Sequence, residues 1–164
     1  MSENILLVGS GAREHSIAKA IDRSTNLNHI FCLASNMNPG IASLCKEFIV
    51  DDFNNPETVS SYATKNNISM AVIGPENPLQ NGVVDSLWNL GVGVVGPKKD
   101  LAQIETSKTF TRNLLKKHNI PGGPKYKTFK SLDGVKDFLK ELDENYVVKF
   151  DGLAGGKGVK VSGD

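Results

Sequence analysis

Five short apolar runs, each closed by turn residues and separated from the next by a connecting segment, constrain this chain more than any other feature. Asn4-Ile5-Leu6-Leu7-Val8 stops at glycine, and His29 to Leu33 leads into Ala34-Ser35-Asn36. Phe48-Ile49-Val50 is brief, Ile68 to Ile73 breaks at Gly74-Pro75, and Val92 to Val95 breaks at Gly96-Pro97. Continuous apolar runs of this length suit strands buried on both faces of a parallel sheet. Between them, Ala12 to about Arg23 carries Ile17, Ala18 and Ile21 at helical spacing. Pro56 opens a helix to about Asn66, and Pro78 to Leu90 reads as another. Strands alternating with helices predict a Rossmann-like α/β domain over residues 1–97, with helices on both faces of a parallel sheet.

After Lys98 the pattern changes. Asp100 to Glu105 and Ser107 to His118 read as successive helices, followed by a hinge-like break at Pro121-Gly122-Gly123-Pro124. Residues 98–123 are therefore expected as a helical linker. From 124 onward a strand is expected over Lys125 to Phe129 and an amphipathic helix over Leu132 to Leu142. Then Tyr146-Val147-Val148 and Lys149 lead into Asp151-Gly152-Leu153-Ala154-Gly155-Gly156-Lys157-Gly158, and Val159-Lys160-Val161 follows. This ending reads as strand, phosphate-covering loop, strand. Glycine lets a loop backbone lie close to a polyphosphate, and Lys149 and Lys157 supply positive charge.

Charge is unevenly spread. Residues 1–107 hold 7 Lys and Arg against 11 Asp and Glu, whereas residues 108–164 hold 12 against 7. The basic second part suits phosphate handling, and it equally suits a solvated lysine-rich surface. A net charge of +1 overall gives no sign of a nucleic-acid partner. Cys32 and Cys45 show no C-x-x-C or histidine pairing, so buried free thiols are expected rather than zinc ligands. No apolar run is long enough to span a membrane, and the early acid Glu3 leaves no visible signal peptide. A cytoplasmic, soluble protein is expected.

Gly9-Ser10-Gly11-Ala12-Arg13-Glu14-His15 follows the first strand and opens the first helix, where backbone N–H groups and the helix dipole favour an anion. It is an incomplete dinucleotide fingerprint. Glu14 replaces the third glycine of G-x-G-x-x-G, and Ala34-Ser35-Asn36 offers no acid for a ribose 2′-hydroxyl. Arg13 instead presents a fork for one terminal phosphate, so a sugar monophosphate fits better than NAD. A purely structural strand–helix turn is the other reading of the loop. Gly74-Pro75-Glu76-Asn77-Pro78-Leu79 ends the fourth strand and projects Glu76 and Asn77 into the same crevice. Glu76 is suited to ribose hydroxyls or an amine, or simply to capping the helix that follows. Asn36, Asn38 and Gly40 lie at the same edge, and His15 is placed to orient groups near the loop. Lys108 starts a helix just after Glu105-Thr106-Ser107, where a lysine opposes the helix dipole. That conflict hints at a function; an exposed lysine is the alternative. Trp88 and Phe110 are assigned to the core. The three histidines show no metal-ligand spacing.

G-S-G-A-R-E-H, G-P-E-N-P-L, V-G-P, E-T-S-K-x-F and V-V-K-F-D-G-L-A-G-G-K-G-V occur here in one order and spacing over the whole chain. The set closely resembles the phosphoribosylamine–glycine ligases (glycinamide ribonucleotide synthetases), purine-biosynthesis enzymes of the ATP-grasp superfamily. The resemblance implies a pre-ATP-grasp domain followed by the beginning of an ATP-grasp domain at 124–164. It implies ATP-dependent ligation of glycine to 5-phosphoribosylamine through glycyl phosphate, giving glycinamide ribonucleotide, ADP and phosphate. Gly9, Gly11 and Arg13 would then serve the substrate's phosphate, and Glu76 with Asn77 its sugar or amine end. Lys108 and Lys149 would contact ATP phosphates. Gly152, Gly155, Gly156, Lys157 and Gly158 would form the mobile cover over them. Mg²⁺ and glycine ligands, with the adenine site, are expected beyond residue 164, so this chain alone is expected to be inactive. No catalytic residue is assigned. Two departures stand out: Ala12 replaces the second glycine of G-G-R-E-H, and Ser35 to Gly40 differs from the usual P-G-N-A-G. The competing readings are another ATP-grasp ligase or carboxylase, and a non-catalytic Rossmann-type nucleotide-binding module.

Overall fold

Strand β1 (Glu3–Val8) occupies the centre of a five-stranded parallel sheet that also contains β2 (Asn28–Ala34), β3 (Glu47–Val50), β4 (Met70–Ile73) and β5 (Gly93–Val95). The spatial order is β3-β2-β1-β4-β5. This computed structural model describes residues 3–25, 28–143 and 145–163. Register follows from the apolar runs: Leu7 pairs with Cys32 on one side and Val72 on the other. The α/β parallel sheet expected from sequence is borne out.

Side-chain alternation along β1 divides the core into two layers. Leu6 and Val8 join Phe31, Leu33, Val59, Val83 and Leu87 in one layer, against helices α3 (Pro56–Lys65), α4 (Glu76–Asn81) and α5 (Val83–Asn89). Leu7 joins Ala18, Ile30, Cys32, Ala34 and Ile41 in the other, against α1 (Ala12–Asp22) and α2 (Pro39–Ala42). Leu6, Leu7 and Leu33 are wholly buried. Each such side chain contributes about 1.5–3 kcal/mol relative to exposure.

The first unit ends at Ala102 and a second begins at Gln103, within α6 (Lys99–Thr106). The second unit carries α7 (Lys108–Lys117), α8 (Val135–Lys140) and a two-stranded antiparallel ribbon of β6 (Val147–Lys149) and β7 (Val159–Val161).

Four expectations need correction. The single helix over Pro78 to Leu90 is two helices, because Gly82 adopts a left-handed conformation with φ of 90° and stops α4 before α5 begins. Lys125 to Phe129 forms no strand. β6 and β7 pair only with each other among the described residues, which leaves no ladder for it to join. Its side chains are used otherwise: Lys125 pairs with Glu141 at 3.2 Å, and the Tyr126 hydroxyl bonds Asn113 at 3.0 Å. The helix expected over Leu132 to Leu142 shrinks to α8, entered through left-handed Gly134. Trp88 is not core: it is 48% exposed, with the Lys98 ammonium 5.2 Å from its ring centroid. The four-residue helix α2 was not foreseen.

Candidate functional site

The strand order changes direction at β1 and β4: β2 and β3 lie beyond one, β5 beyond the other. Ligands of open α/β sheets bind outside the carboxyl ends of strands at such a switch point. The loops after β1 and β4 meet there.

Gly9 leaves β1 with its N–H on the Leu33 carbonyl at 3.0 Å and with φ of 114°. A Cβ there would lie 2.9 Å from Pro75 Cδ, so both conformation and space demand glycine. Gly11 caps α1. Glu14, read from sequence as a departure from the dinucleotide pattern, is the residue around which this loop packs. Its side chain is 5% exposed, and Oε2 accepts the Gly11 N–H at 2.5 Å. This is the glutamate half of a capping box; Gly11 has no side chain to return the bond. A Cβ on Gly11 would lie 2.6 Å from Glu14 Oε2, and one on Gly74 would lie 2.2 Å from Oε1. Glu14 thus fills the space that a third glycine leaves open in a dinucleotide loop.

The loop after β2 is tied to the same place. Asn38 donates to the Ser10 carbonyl at 2.9 Å, and Asn36 to the Ser10 hydroxyl at 3.4 Å. Asn38 Oδ1 also caps α2, accepting from Gly40 at 3.0 Å and Ile41 at 3.3 Å. The His15 imidazole lies against Gly40, where a Cβ would come within 2.4 Å of Cε1. Beneath the loop, the Cys32 thiol donates to the Gly9 carbonyl at 3.4 Å. Cys32 is pushed far up by its hydrogen bond with Cys45, by burial, and by the Cys45 and Glu14 charges. Cys45 moves down, because its interaction with the neighbouring Cys32 side chain outweighs its burial. Both thiols are free; Cys32 is buried and Cys45 half-buried.

Arg13 projects from the first turn of α1 and crosses to the loop after β4. It donates to the Gly74 carbonyl at 2.9 Å and meets the Glu76 carboxylate at 3.5 Å. The Arg13 side chain remains 65% exposed and that of Glu76 34%. Gly11, Ala12, Arg13, Glu14, Pro75 and Glu76 line an open cleft of ≈ 290 Å³. Of the expected substrate residues, Gly11, Arg13 and Glu76 come together in this cleft. Gly9 supports its floor, and Asn77 stands exposed on the first turn of α4, outside the lining. A guanidinium and a carboxylate side by side in one cleft suit a ligand that carries both a phosphate and hydroxyl or amine donors.

In the second unit the glycine loop joins β6 to β7. Phe150 donates its N–H to the Gly158 carbonyl at 2.8 Å, and Lys157 to that of Ala154 at 2.9 Å. Gly152, Gly155 and Gly156 all have positive φ. Lys149 is exposed opposite Val159, and Lys157 is exposed within the loop. Lys108 Nζ donates to the Gly152 carbonyl at 2.9 Å, which joins α7 to the start of the loop. Asp151 accepts the Thr109 N–H at 3.2 Å and the Ser107 hydroxyl at 3.3 Å. Burial opposes its ionisation, but bonds from Thr109, the Lys108 backbone and Ser107 prevail and hold its carboxyl below the usual range. Nothing in the local sequence marks Asp151 for this role; the dipole conflict at Lys108 is the available signal. Backbone N–H groups and ammonium groups form a donor set suited to nucleotide phosphates. Among the described residues no three His, Cys, Asp or Glu side chains cluster to hold a metal. No helix among them is long and apolar enough to cross a membrane.

Comparison with known proteins follows this division. Residues 3–105 match the N domain of phosphoribosylglycinamide synthetase, and residues 106–164 match its ATP-grasp (A) domain. A phosphoribosylamine–glycine ligase from Methanosarcina barkeri is 47% identical over 160 residues, covering 98% of this chain and 37% of the relative. The chain thus spans little more than a third of the curated relatives it matches. Among solved structures, an ADP complex of N5-carboxyaminoimidazole ribonucleotide synthetase superposes with a TM-score of 0.77 at 18% identity, covering 97% of this chain and 40% of that one. A phosphoribosylglycinamide synthetase from Anaerococcus prevotii gives 0.63 at 17% identity, covering 100% and 39%. At these identities the structural likeness speaks for the fold alone.

Proposed function

The chain belongs to the phosphoribosylglycinamide synthetase family, and from that premise we propose that it forms the front portion of an ATP-dependent phosphoribosylamine–glycine ligase. In the proposed reaction the glycine carboxylate attacks the γ-phosphate of ATP, giving glycyl phosphate and ADP. The amine of 5-phosphoribosylamine then attacks the acyl carbon and expels phosphate. A carboxylate is a poor acyl donor, so activation is chemically necessary; the protein's share is positioning and charge neutralisation.

Residues 1–97 are proposed as the substrate domain, 98–123 as a linker, and 124–164 as the start of the ATP-grasp domain. The observation that carries the substrate assignment is the Arg13–Glu76 cleft at the switch point. Arg13, with the Gly9 and Gly11 backbone, is proposed to hold the phosphate. Glu76 and Asn77 are proposed to hold the ribose or amine. For ATP, Lys108, Lys149 and Lys157 are proposed to neutralise phosphate charge. The Gly152, Gly155, Gly156 and Gly158 backbone is proposed to approach the same phosphates. Mg²⁺ would supply charge neutralisation to the ATP phosphates, and its protein ligands are proposed to lie outside residues 1–164. The partners are small molecules, and the proposed location is the cytoplasm.

Thermal unfolding with ribose 5-phosphate tests the substrate half-site. A ligand that binds only the folded state adds about 2.7 kcal/mol at a hundred times its dissociation constant. We expect an upward shift of the midpoint with ribose 5-phosphate, lost in Arg13→Ala. A shift with NAD and none with the sugar phosphate would overturn the assignment in favour of a dinucleotide-binding module.

A further inference from the structure

The contacts at the start of the glycine loop point beyond the lysines. Ser107 ends the approach to α7 and caps it with its own hydroxyl, which accepts the Phe110 N–H at 3.1 Å. The Thr109 N–H, one of the unpaired donors of the first turn, goes to Asp151 at 3.2 Å. Asp151 comes from a different part of the chain, two residues past β6 and one before Gly152. Ser107 also directs its hydroxyl at the Asp151 carboxylate, at 3.3 and 3.4 Å. Lys108, between these two residues, reaches the Gly152 carbonyl at 2.9 Å. Three consecutive residues at α7's N-terminus, the cap and the first two of the helix, therefore hold two consecutive residues at the root of the loop. From Gly152 on, the loop is rich in glycines of positive φ, and nothing approaches a Cβ built on Gly155 or Gly156.

We infer that Asp151 is a positioning residue for the nucleotide: its carboxylate pins the upstream root of the loop to the N-terminus of α7. This sets both where the loop swings from and where Lys108 points. The inference rests on the proposed ATP role of the loop. The physics of the anchor is independent of that role. An ionised carboxylate on first-turn N–H groups completes a helix cap and meets the positive end of the helix dipole. It also explains a lysine at the start of α7: the negative charge the dipole calls for is supplied by Asp151 rather than from within the helix.

The test compares the unsubstituted chain with Asp151→Ala, Asp151→Asn and Ser107→Ala by amide hydrogen exchange, with and without MgATP. Asp151→Ala should speed exchange at residues 152–158 by about fivefold, the loss expected of one capping contact, and should leave β1 to β5 unchanged. Asp151→Asn keeps an acceptor for Thr109 and should restore part of the protection. That graded rescue separates anchoring from mere folding, and Ser107→Ala gives a second route to the same loosening. MgATP should slow loop exchange in the unsubstituted chain, and Asp151→Ala should need several times more nucleotide for the same effect. Loop exchange unchanged in Asp151→Ala overturns the anchor. A loosened loop with undiminished response to MgATP overturns the positioning role. Absence of any MgATP effect in the unsubstituted chain overturns the nucleotide reading of the loop, while the exchange comparison still decides the anchor.

Discussion

Substituting Gly74 by alanine should be costly only while Glu14 is present. Gly74 has no positive φ, so alanine is conformationally acceptable there, and the cost is steric. The added Cβ would stand 2.2 Å from Glu14 Oε1 and 2.5 Å from both Cδ and Cγ. Glu14 is 5% exposed and bonded to Gly11, so relieving the clash means either overpacking or giving up that bond. Overpacking costs about 1–3 kcal/mol, and losing a charged hydrogen bond about 1.5–3 kcal/mol. The cheaper of the two routes sets the cost of Gly74→Ala, at about 2 kcal/mol. Glu14→Ala, which strands the Gly11 N–H and leaves a void, should cost a similar amount. In the double variant the clash no longer exists, so its stability should match Glu14→Ala alone, a coupling of about 2 kcal/mol. Urea unfolding read by Trp88, the single tryptophan and a residue of the first unit, measures each corner of the cycle. Gly91→Ala is the control: its φ is 79° but nothing lies within 4 Å of an added Cβ, so its cost should be equal in both backgrounds. Additivity of Gly74→Ala and Glu14→Ala within about 0.5 kcal/mol would refute the picture of Glu14 as the brace beneath this loop.

Two further outcomes follow from neighbouring contacts. Asn38→Ala removes the α2 cap and the bond to Ser10, and should lower urea stability by about 1–2 kcal/mol; Asn38→Asp keeps the cap, loses the donor, and should fall between. Cys45 should react with a thiol reagent in the folded protein at mildly alkaline pH, while Cys32, pushed up and buried, reacts only after unfolding. Cys32→Ala removes the neighbour that holds Cys45 down, so folded-state labelling at Cys45 should slow at neutral pH, as read by mass spectrometry.

The sheet was legible in the sequence because its strands are buried on both faces. Continuous apolar runs such as Ile5 to Val8 can hide only between two layers, and the Gly-Pro breaks mark where they end. What local pattern cannot carry is pairing. Lys125 to Phe129 has the length of a strand but no ladder to join, and its lysines and aromatics find helix partners instead. Trp88 sits at helical spacing, yet α5 turns it outward beneath Lys98. Gly82 was visible in the sequence, and its left-handed break of the helix was the unread consequence.

The site shows the same division between pattern and partner. Spacing alone put Gly11, Arg13 and Glu76 at one sheet edge, because loops after neighbouring parallel strands emerge together. It could not reveal that Arg13 would already be held by the Gly74 carbonyl, since that bond joins residues 61 positions apart. Glu14 and Lys108 are more instructive, because each broke a local rule. Glu14 stands where a dinucleotide loop has glycine; Lys108 stands at the positive end of a helix. Both conflicts are settled by a carboxylate on a helix N-terminus: Glu14 on Gly11 from within the same turn, Asp151 on Thr109 from far along the chain. At Lys108, then, the broken local rule marks where a distant residue must be sought. The sequence names one side of that pair, and only the fold names the other.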